Sequence, residues 1–511
     1  MRSRIVQIAV RVLTGLVVGL ILRSVVGLHP VWWAVWLAPV LLLILGLQFP
    51  VRDARWMVPL ATLVAASVNF HYFRLVMPLG AAAVSVVEQS LLWVVFVFVT
   101  RLLVLRYKAW WTVFVYPVLW VAADTLMAAF LPDGNWGSLA YSQGDILPII
   151  QIASLFSTAG VLFLLALVPS AIAVFISLGN YVRRGWLAYA TTAFLLSTSL
   201  AYGSLRLLRP VRGTETTFGI VSIDDPIGLR AADSYAENIY SQYGWRVAAL
   251  ADEGAQIVVL PEKIAMVTPQ KALDLQHRFS AIARKSRVWL EMGIGIDDGE
   301  TPTNRAWLFA PDGALAATYQ KHHMAPPERR DHYASGSGYT VYSIAGRRYG
   351  LAVCKDMHFA AFGRAYGQRH ASVVLVPAWD FAYLDGWLAA RTTVFRGIEN
   401  GYSIVRDSRE GLLTASDPYG RILDETPSNV LPGRSMLVKV AVADSIPTLY
   451  TRIGNLFGRL CVIAAMAFLA LAIVSSRATL VRALYQIGNW YKKNMQKLMR
   501  HRVVLRVRVR R

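Results

Sequence analysis

The sequence predicts a polytopic α-helical membrane protein that carries one water-exposed α/β domain. Residues 1–207 and 456–475 are mostly apolar, whereas residues 211–447 have the composition of a soluble domain. Over the whole chain 55% of the residues are hydrophobic and only 16% are charged. A soluble protein typically carries about 25% charged residues. The exposed segment, of roughly 235 residues, is long enough to bury a core of its own.

Eight apolar segments have the length of about 20 residues that a bilayer-spanning helix requires. They lie at residues 7–27, 31–48, 57–77, 80–100, 111–130, 160–178, 186–206 and 456–475. The first is too long, and too closely followed by other apolar segments, for a cleaved signal peptide. The predicted domains are 1–210 with seven transmembrane helices and an outer loop at 131–159, 211–447 with the exposed fold, 448–476 with a linker and the last span, and a basic cytoplasmic tail at 477–511.

Positively charged residues indicate the orientation of these spans. With the N-terminus in the cytoplasm, the inner loops and the tail carry Lys and Arg residues, whereas the predicted outer loops 28–30, 78–79 and 131–159 carry none. Cytoplasmic loops of membrane proteins have this positive bias. We therefore expect residues 211–447 on the extracytoplasmic face. If one span were miscounted, the domain would instead be cytosolic.

The net charge of +21 does not indicate a nucleic-acid-binding protein. More than half of it lies after residue 476, where eleven Lys and Arg residues occur without an acidic residue. A basic tail that follows a membrane helix is typical of a cytoplasmic, lipid-facing segment. We therefore expect the membrane, and not nucleic acid, as a partner of this chain.

The outer loop contains an unusual aromatic stretch, "NWGSLAYSQGDILPIIQIAS", at residues 135–154. It holds Trp136, Tyr141 and Gln143 and is amphipathic. Aromatic side chains at a membrane surface often serve only as interfacial anchors. The stretch could equally form a wall or lid that faces a lipid substrate, and the sequence leaves both interpretations open.

The exposed domain alternates short β-branched runs with helical stretches. Strands are predicted at 217–223, 256–262, 288–296, 305–321, 348–354, 371–379 and 402–408, and helices at 231–252, 270–286, 359–370 and 384–399. Asp312-Gly313 is the predicted turn of a hairpin. This alternation is typical of an α/β architecture whose sheets are covered by helices. A Gly-rich phosphate loop and a His/Cys cluster with metal spacing are both missing from the sequence, so no cofactor and no metal are expected.

Three polar residues follow predicted strands, at the positions where α/β sheets tend to place catalytic groups. Glu262 ends "VVLPE", Lys321 ends "ATYQK" and Cys354 ends "LAVC". Each alone also fits a structural role: a solvated carboxylate, a surface lysine or a core cysteine. Cysteine catalysis requires a thiolate, a proton acceptor and a positive group for the developing oxyanion. If a helix follows Cys354, its N-terminal dipole is expected to favour the thiolate.

The order Glu262, Lys321, Cys354 resembles that of the nitrilase, or carbon–nitrogen hydrolase, superfamily. The resemblance spans most of 215–440 and includes "YQKHH", an acid two residues after the cysteine, and "RGIENGYSIVRDSREG" followed by "DPYGRI". It implies an αββα sandwich in which Cys354 is the nucleophile, Glu262 the general base and Lys321 the oxyanion stabiliser.

Such a domain between the seventh and eighth spans is similar to the apolipoprotein N-acyltransferases. Members carry a Trp and a "GYSQ"-like stretch in the outer loop, which here read Trp136 and "AYSQ" at 140–143. The resemblance implies that a phospholipid acyl chain passes through a Cys354 thioester to the N-terminal amine of a diacylglyceryl-cysteine lipoprotein. It also implies a multi-pass protein of the bacterial inner membrane with its catalytic domain on the periplasmic side.

The chain departs from that family around its predicted site. The usual Cys-Tyr-Glu is here Cys354-Lys355-Asp356, and Glu328 falls one residue short of the position of the family's supporting glutamate. Lys263 stands where a small or apolar residue is usual. Two extra lysines are expected to hold the thiolate more firmly and to attract anionic groups. The supporting acid is therefore either Glu328 or Asp356.

These departures suggest a divergent paralogue and leave two alternatives open. The protein is either an acyltransferase that acts on lipoproteins, or a membrane-bound amidase or lipid acyltransferase that uses another amine or water as acceptor. A non-catalytic binding or scaffold protein is a third hypothesis, and the complete Glu262, Lys321, Cys354 set argues against it.

Overall fold

The computed structural model describes residues 2–178 and 182–476. The predicted basic tail, 477–511, lies outside the described residues, as do residues 179–181 of a predicted inner loop. The described chain consists of a helical part and an α/β part, which pack against each other.

The helical part is built from nine α-helices that precede the α/β part and a C-terminal helix that follows it, counted over the described residues. The nine are α1 (Arg2–Leu22), α2 (Ala34–Gln48), α3 (Val51–Ala66), α4 (Phe70–Val76), α5 (Leu79–Tyr107), α6 (Val115–Phe130), α7 (Leu147–Ile150), α8 (Ala153–Leu178) and α9 (Val182–Leu207). The C-terminal helix is Leu456–Ser476. Helix α8 packs against α2, α6 and α9, which places it at the centre of the part.

Five helices of the described chain are long and apolar enough to cross a membrane. They are Ile5–Leu22, Leu79–Tyr107, Trp110–Phe130, Ala153–Leu178 and Leu456–Ser476. Three predicted spans are not among them. The segment 31–48 forms the short helix α2, and the segment 57–77 is divided by a 3-10 turn between α3 and α4. The segment 186–206 lies within α9, which is not one of the five. A membrane protein is therefore supported, and the count of eight spans stays a prediction.

The α/β part contains two β-sheets in sequence order β1 to β13. The strands are β1 (Thr214–Ser222), β2 (Ile257–Val259), β3 (Met266–Val267), β4 (Trp289–Ile296), β5 (Thr303–Phe309), β6 (Leu315–Gln320), β7 (Thr340–Ile344), β8 (Arg347–Leu351), β9 (Val373–Trp379), β10 (Ser403–Arg409), β11 (Leu412–Ser416), β12 (Ile422–Pro427) and β13 (Arg434–Val442). The first sheet has the order β13-β1-β2-β4-β5-β6, with β3 beside β4. The second has the order β12-β11-β10-β9-β8-β7.

Helices complete a four-layer αββα arrangement. They are α10 (Asp233–Asp252), α11 (Pro269–Ser286), α12 (Pro326–Arg330), α13 (Ala360–Gln368), α14 (Gly386–Asn400) and α15 (Leu449–Ile453). One core, with Phe218, Leu308 and Leu375, joins the two sheets. A second, with Phe279 and Met292, joins the first sheet to α10 and α11. Apolar residues of α14 belong to the core of the helical part, so this helix is the junction between the two parts.

Most predicted elements of the α/β part are present within a few residues of their predicted ends. The Asp312-Gly313 turn joins β5 to β6, with the Gly313 amide donating to the Ala310 carbonyl at 2.8 Å. The predicted strand 348–354 ends early, at Leu351. The elements β3, β7, β11, β12, β13, α12 and α15 were not predicted, because they are short or lie at sheet edges where a regular apolar alternation is weak.

Candidate active site

The three predicted catalytic residues lie just beyond strand ends, and both sheets contribute. Glu262 follows β2 and Lys321 follows β6 in the first sheet, whereas Cys354 follows β8 in the second. All three side chains are buried, with relative exposures of 2%, 1% and 8%. The site therefore lies at one end of the sandwich, between the two sheets, where strand ends bring distant parts of the chain together.

Lys321 connects two carboxylates. Its Nζ donates to Glu262 Oε1 at 2.7 Å and to Glu328 Oε2 at 2.7 Å. Burial alone would lower the pKa of Lys321, but the charges of Glu262 and Glu328 raise it well above its usual value. An ammonium group has three N–H donors. With two of them on carboxylates, one remains for a substrate oxygen.

Asn304, in β5, holds the same two carboxylates from the other side. Its Nδ2 donates to Glu262 Oε1 at 2.5 Å and to Glu328 Oε1 at 2.6 Å. Glu328 also accepts from the Ala325 amide at the start of α12, at 2.9 Å. Burial would raise the pKa of Glu328, but Lys321 and Lys263 lower it. Glu328 therefore stays ionised and fixes the position of the Lys321 ammonium group.

Cys354 begins a 3-10 turn, Cys354–His358, and adopts a φ of +46°. This left-handed conformation is unusual for a residue other than glycine and is found where the surroundings enforce it. The Cys354 Sγ donates to the Trp379 carbonyl oxygen at 3.6 Å. Burial, and then the nearby charge of Glu262, raise the pKa of this thiol well above its usual value. The direction of this pKa shift is opposite to the one expected for a helix-stabilised thiolate.

Asp356, two residues after Cys354, is directed toward backbone amides and a tyrosine and not toward Lys321. Its carboxylate accepts from the amides of Val353, His322 and His323 at 3.2, 3.0 and 2.8 Å, and from the Tyr319 hydroxyl at 2.6 Å. Burial raises the pKa of Asp356 to about 7. Asp356 makes no hydrogen bond to Lys321 in the described structure. Of the two candidates for the supporting acid, only Glu328 contacts the lysine.

The two additional lysines are each paired with a carboxylate. Lys263 Nζ lies 2.9 Å from Glu328 Oε1 and above the rings of Tyr333 and Trp379. Lys355 Nζ is ion-paired with Asp133, a residue of the helical part. These carboxylates compensate the excess of positive charge that was expected around the thiol. The sequence could not show this, because it does not reveal which acids face the two lysines.

The two aromatic residues predicted in the outer loop have separate environments. Trp136 stacks on His358, with ring centroids 4.1 Å apart and planes 18° from parallel. Tyr141 is buried, and its hydroxyl accepts from Arg396 Nη2 at 3.1 Å. Trp136 thus lies beside the catalytic turn, whereas Tyr141 holds the loop to α14. The contact of Trp136 favours a wall of the site over an interfacial anchor, whereas the contact of the buried Tyr141 is structural.

Sequence analysis missed several residues around the thiol. Asn304 lies in β5, where polar and apolar residues alternate irregularly, and its sequence position does not mark it as a site residue. Asp133 lies in the outer loop, far from the domain in sequence. Arg406 and Asp380 form a buried ion pair near Cys354. Their charges act in opposite directions on the pKa of the thiol, with Asp380 raising it and Arg406 lowering it.

Two family models match consecutive parts of the chain. The model "Carbon-nitrogen hydrolase" matches residues 224–423, which contain the three predicted catalytic residues. The model "Apolipoprotein N-acyltransferase N-terminal domain" matches residues 18–171, within the helical part.

Curated relatives cover both parts. The chain is 26% identical to an apolipoprotein N-acyltransferase of Geobacter metallireducens over 70% of this chain and 73% of the relative. It is 23% identical to the protein of the same name in Bradyrhizobium diazoefficiens, over 65% and 68%. Among solved structures, an amidase from Nesterenkonia sp. is 22% identical, with a TM-score of 0.40 over 49% of this chain and 97% of that chain.

Proposed function

The chain belongs to the apolipoprotein N-acyltransferase family of the carbon–nitrogen hydrolase superfamily, and from that premise we propose that it transfers a phospholipid acyl chain to a lipoprotein amine. The observation that carries the proposal is the contact of Lys321 with both Glu262 and Glu328, beside a buried cysteine, in a chain with several membrane-length helices.

In the first half-reaction, the Cys354 thiol rotates away from the Trp379 carbonyl and gives its proton to Glu262. The sulfur attacks the ester carbonyl carbon of the phospholipid, and the remaining N–H of the Lys321 ammonium stabilises the oxyanion that forms. The carbon–oxygen bond of the ester then breaks. The departing lysophospholipid oxygen takes the proton from Glu262, and a thioester remains on Cys354.

In the second half-reaction, a neutral amine attacks the thioester carbonyl. Glu262 takes a proton from the amine nitrogen, the carbon–sulfur bond breaks, and the thiolate recovers a proton from Glu262. The products are an amide and the free thiol. A thioester is already activated toward an amine, so the cycle has no step that requires a nucleotide. The acceptor is the N-terminal amine of a diacylglyceryl-cysteine protein.

The location of the site is part of the same proposal. The predicted outer loops lack Lys and Arg residues, which supports a periplasmic position for residues 211–447. The outer loop contacts the catalytic turn through Trp136 and Asp133. A site that adjoins membrane helices lies within reach of a lipid donor and a lipid-anchored acceptor. The enzyme is accordingly placed in the bacterial inner membrane, with the catalytic domain outside.

A second candidate is hydrolysis or transfer to a different amine. The Cys354-Lys355-Asp356 sequence supports it, because an aspartate at the third position resembles the soluble amidases of the superfamily. In this case water or a simple amine resolves the same thioester.

The test uses the purified full-length protein. Incubation with phospholipid should add one acyl mass to the peptide that contains Cys354, and a diacylglyceryl-cysteine peptide should then remove it as an amide. The variant Cys461→Ser is the matched control, since this second cysteine lies in the C-terminal helix. Absence of the acyl mass in the wild type would contradict the proposal. Free fatty acid as the main product, with peptide present, would favour hydrolysis.

A further inference from the structure

A short segment of the outer loop lies directly along the catalytic turn. Trp136 stacks on His358, the last residue of the turn. Gly134 adopts a φ of +61°, and a Cβ atom there would lie 3.1 Å from the ring of Phe359, the next residue. A larger residue at position 134 would be strained and crowded. This close approach shows that the loop and the turn are fitted to each other.

Asp133 connects this loop to both catalytic segments of the domain. Arg329 donates to it bidentately, with Nη1 to Oδ1 and Nη2 to Oδ2 both at 3.0 Å. Lys355 Nζ donates to Oδ1 of the same carboxylate. Arg329 follows Glu328 in the chain, and Lys355 follows Cys354. One carboxylate of the helical part is therefore bonded to the immediate neighbours of the nucleophile and of the supporting acid.

The Lys355 contact is an ion pair between a buried lysine and a partly exposed carboxylate, since the Asp133 side chain is 40% exposed. The lysine side chain is 5% exposed, and Asp133 is the only carboxylate that pairs with it among residues 2–178 and 182–476. Burial lowers the pKa of Lys355 to about 8, while Asp133 raises it. Burial would raise the pKa of Asp133, but Lys355 and Arg329 lower it. A buried charge that loses its partner is strongly unfavourable.

The position of the nucleophile depends on its backbone. Cys354 has the left-handed φ of +46°, and its thiol makes no hydrogen bond to Glu262 in the described structure. The position of the sulfur relative to Glu262 is thus set by the turn that carries Cys354, and a strained turn keeps its shape only when its surroundings enforce it. Lys355 is the residue of the turn that is bonded to the helical part.

We propose that Asp133 is a positioning residue that acts through Lys355 and Arg329 to hold Cys354 and Glu328 in the reactive arrangement. The inference rests on the proposed acyl transfer at Cys354. It assigns to the helical part a role in the chemistry besides membrane attachment. The carboxylate touches no reacting atom. Its loss therefore lowers the rate of the chemical step and leaves phospholipid binding largely unchanged.

The experiment measures single-turnover thioester formation on the full-length protein, with phospholipid in detergent micelles. The variants are Asp133→Asn, Lys355→Gln and the double variant, with rates normalised to folded protein by size-exclusion chromatography. Asp133→Asn should reduce the maximal rate by about 10- to 100-fold, the range expected for a small displacement of a reacting group. The phospholipid concentration at half-maximal rate should stay within about twofold, because binding is not its role.

Asp145→Asn is the matched control in the same loop. Asp145 pairs with Arg391, which keeps its second partner, Glu425. Its loss should leave the rate of thioester formation near that of the wild type. A rate loss equal to that of Asp133→Asn would indicate a general effect of loop damage and would overturn the inference.

The double variant tests whether Asp133 acts through Lys355. The double variant should be no slower than the slower of the two single variants, because the effects of mutating two residues of one ion pair do not add. Additive losses would overturn the inference. If Asp133→Asn does not fold, the comparison is between Lys355→Arg and Lys355→Gln. Lys355→Arg keeps the positive charge and should retain most of the rate that Lys355→Gln loses. Equal rate losses in these two variants would also overturn the inference. These outcomes differ from failure of the proposed function, in which the wild type itself forms no thioester.

Discussion

Replacing Lys321 with methionine removes a buried charge while keeping most of the side-chain volume. Its Nζ lies 2.7 Å from an oxygen of Glu262 and 2.7 Å from an oxygen of Glu328, and all three side chains are almost fully buried. Removing one partner of a buried ion pair typically costs about 3–5 kcal/mol. We expect a loss of stability of this size, together with a rate loss of about 100- to 1000-fold from the missing oxyanion donor.

The variant should also acquire a distinctive pH dependence. Glu328 keeps Lys263 as a partner in this variant, but Glu262 loses its lysine. We therefore expect one of the two buried carboxylates to take up a proton on folding at neutral pH. The folded-state pKa of this carboxyl then lies above its unfolded value of about 4.3. The variant loses stability as the pH rises from the unfolded pKa to the folded-state pKa, by up to about 1.4 kcal/mol per pH unit.

The wild type should behave differently over the same range. The pKa of Glu328 is lowered in the folded state by Lys321 and Lys263, against the effect of burial. The stability that this gives is present above the unfolded pKa and is lost only as the pH falls through the folded-state value. Between pH 6 and pH 8 this contribution of Glu328 should therefore be constant. Asp356, whose pKa is raised by burial to about 7, titrates in both proteins and stabilises both on acidification. Lys321→Met should therefore gain more stability than the wild type between pH 8 and pH 6.

The assay combines thermal unfolding in detergent at pH 6 and pH 8 with acyl transfer from a labelled phospholipid. Lys271→Met is the control, because Lys271 forms an exposed ion pair with Asp233 at 3.0 Å. Such surface pairs contribute at most about 1 kcal/mol. If Lys321→Met retained near-normal transfer, or if its unfolding temperature rose on acidification no more than that of the wild type, the assignment of Lys321 as counter-ion and oxyanion donor would be refuted.

Three further predictions follow from the same site. Cys354→Ser should abolish transfer while Cys461→Ser leaves it intact, because a serine hydroxyl is a far poorer nucleophile than a thiol; turnover by the first variant would exclude the cysteine as nucleophile. Thioester formation should slow above about pH 8, where Lys355 loses its proton and its ion pair, and Lys355→Arg should remove this decline, so an unchanged profile would contradict the role of the pair. In a variant without native cysteines, Ser337→Cys should react with an impermeant thiol reagent in intact cells and Asn494→Cys should not, and the reverse pattern would place the domain in the cytosol.

Sequence patterns located the candidate site because its members occupy predictable positions. Glu262, Lys321 and Cys354 all come directly after apolar runs, and strand ends of a layered sheet converge. The long apolar segments likewise indicated a membrane protein. Both features depend on local composition and periodicity, which a single sequence displays.

The features of the site that could not be predicted from the sequence depend on contacts between distant segments of the chain. Glu328 appeared displaced by one residue, yet helix α12 turns its carboxylate toward Lys321. The partners of Lys263 and Lys355 come from other segments, and an unpaired lysine looks the same in sequence as a paired one. Burial made the thiol less acidic, because the expected dipole is only one of several effects on its pKa.

Helix α14 limits how this protein can be divided or recombined. Its residues Leu388, Phe395 and Ile398 belong to the core of the helical part, and the helix also packs against β10 and β11 of the second sheet. Arg206 of α9 donates to Gln151, which in turn donates to the Tyr419 carbonyl. Cutting the chain at residues 211 and 447 would leave an apolar surface and broken buried hydrogen bonds. Changes on one side of this shared helix have to be matched on the other, so the two parts are expected to evolve as one inherited unit. Chimaeras that exchange only one part with a relative should fold only when the residues facing α14 are transferred with it.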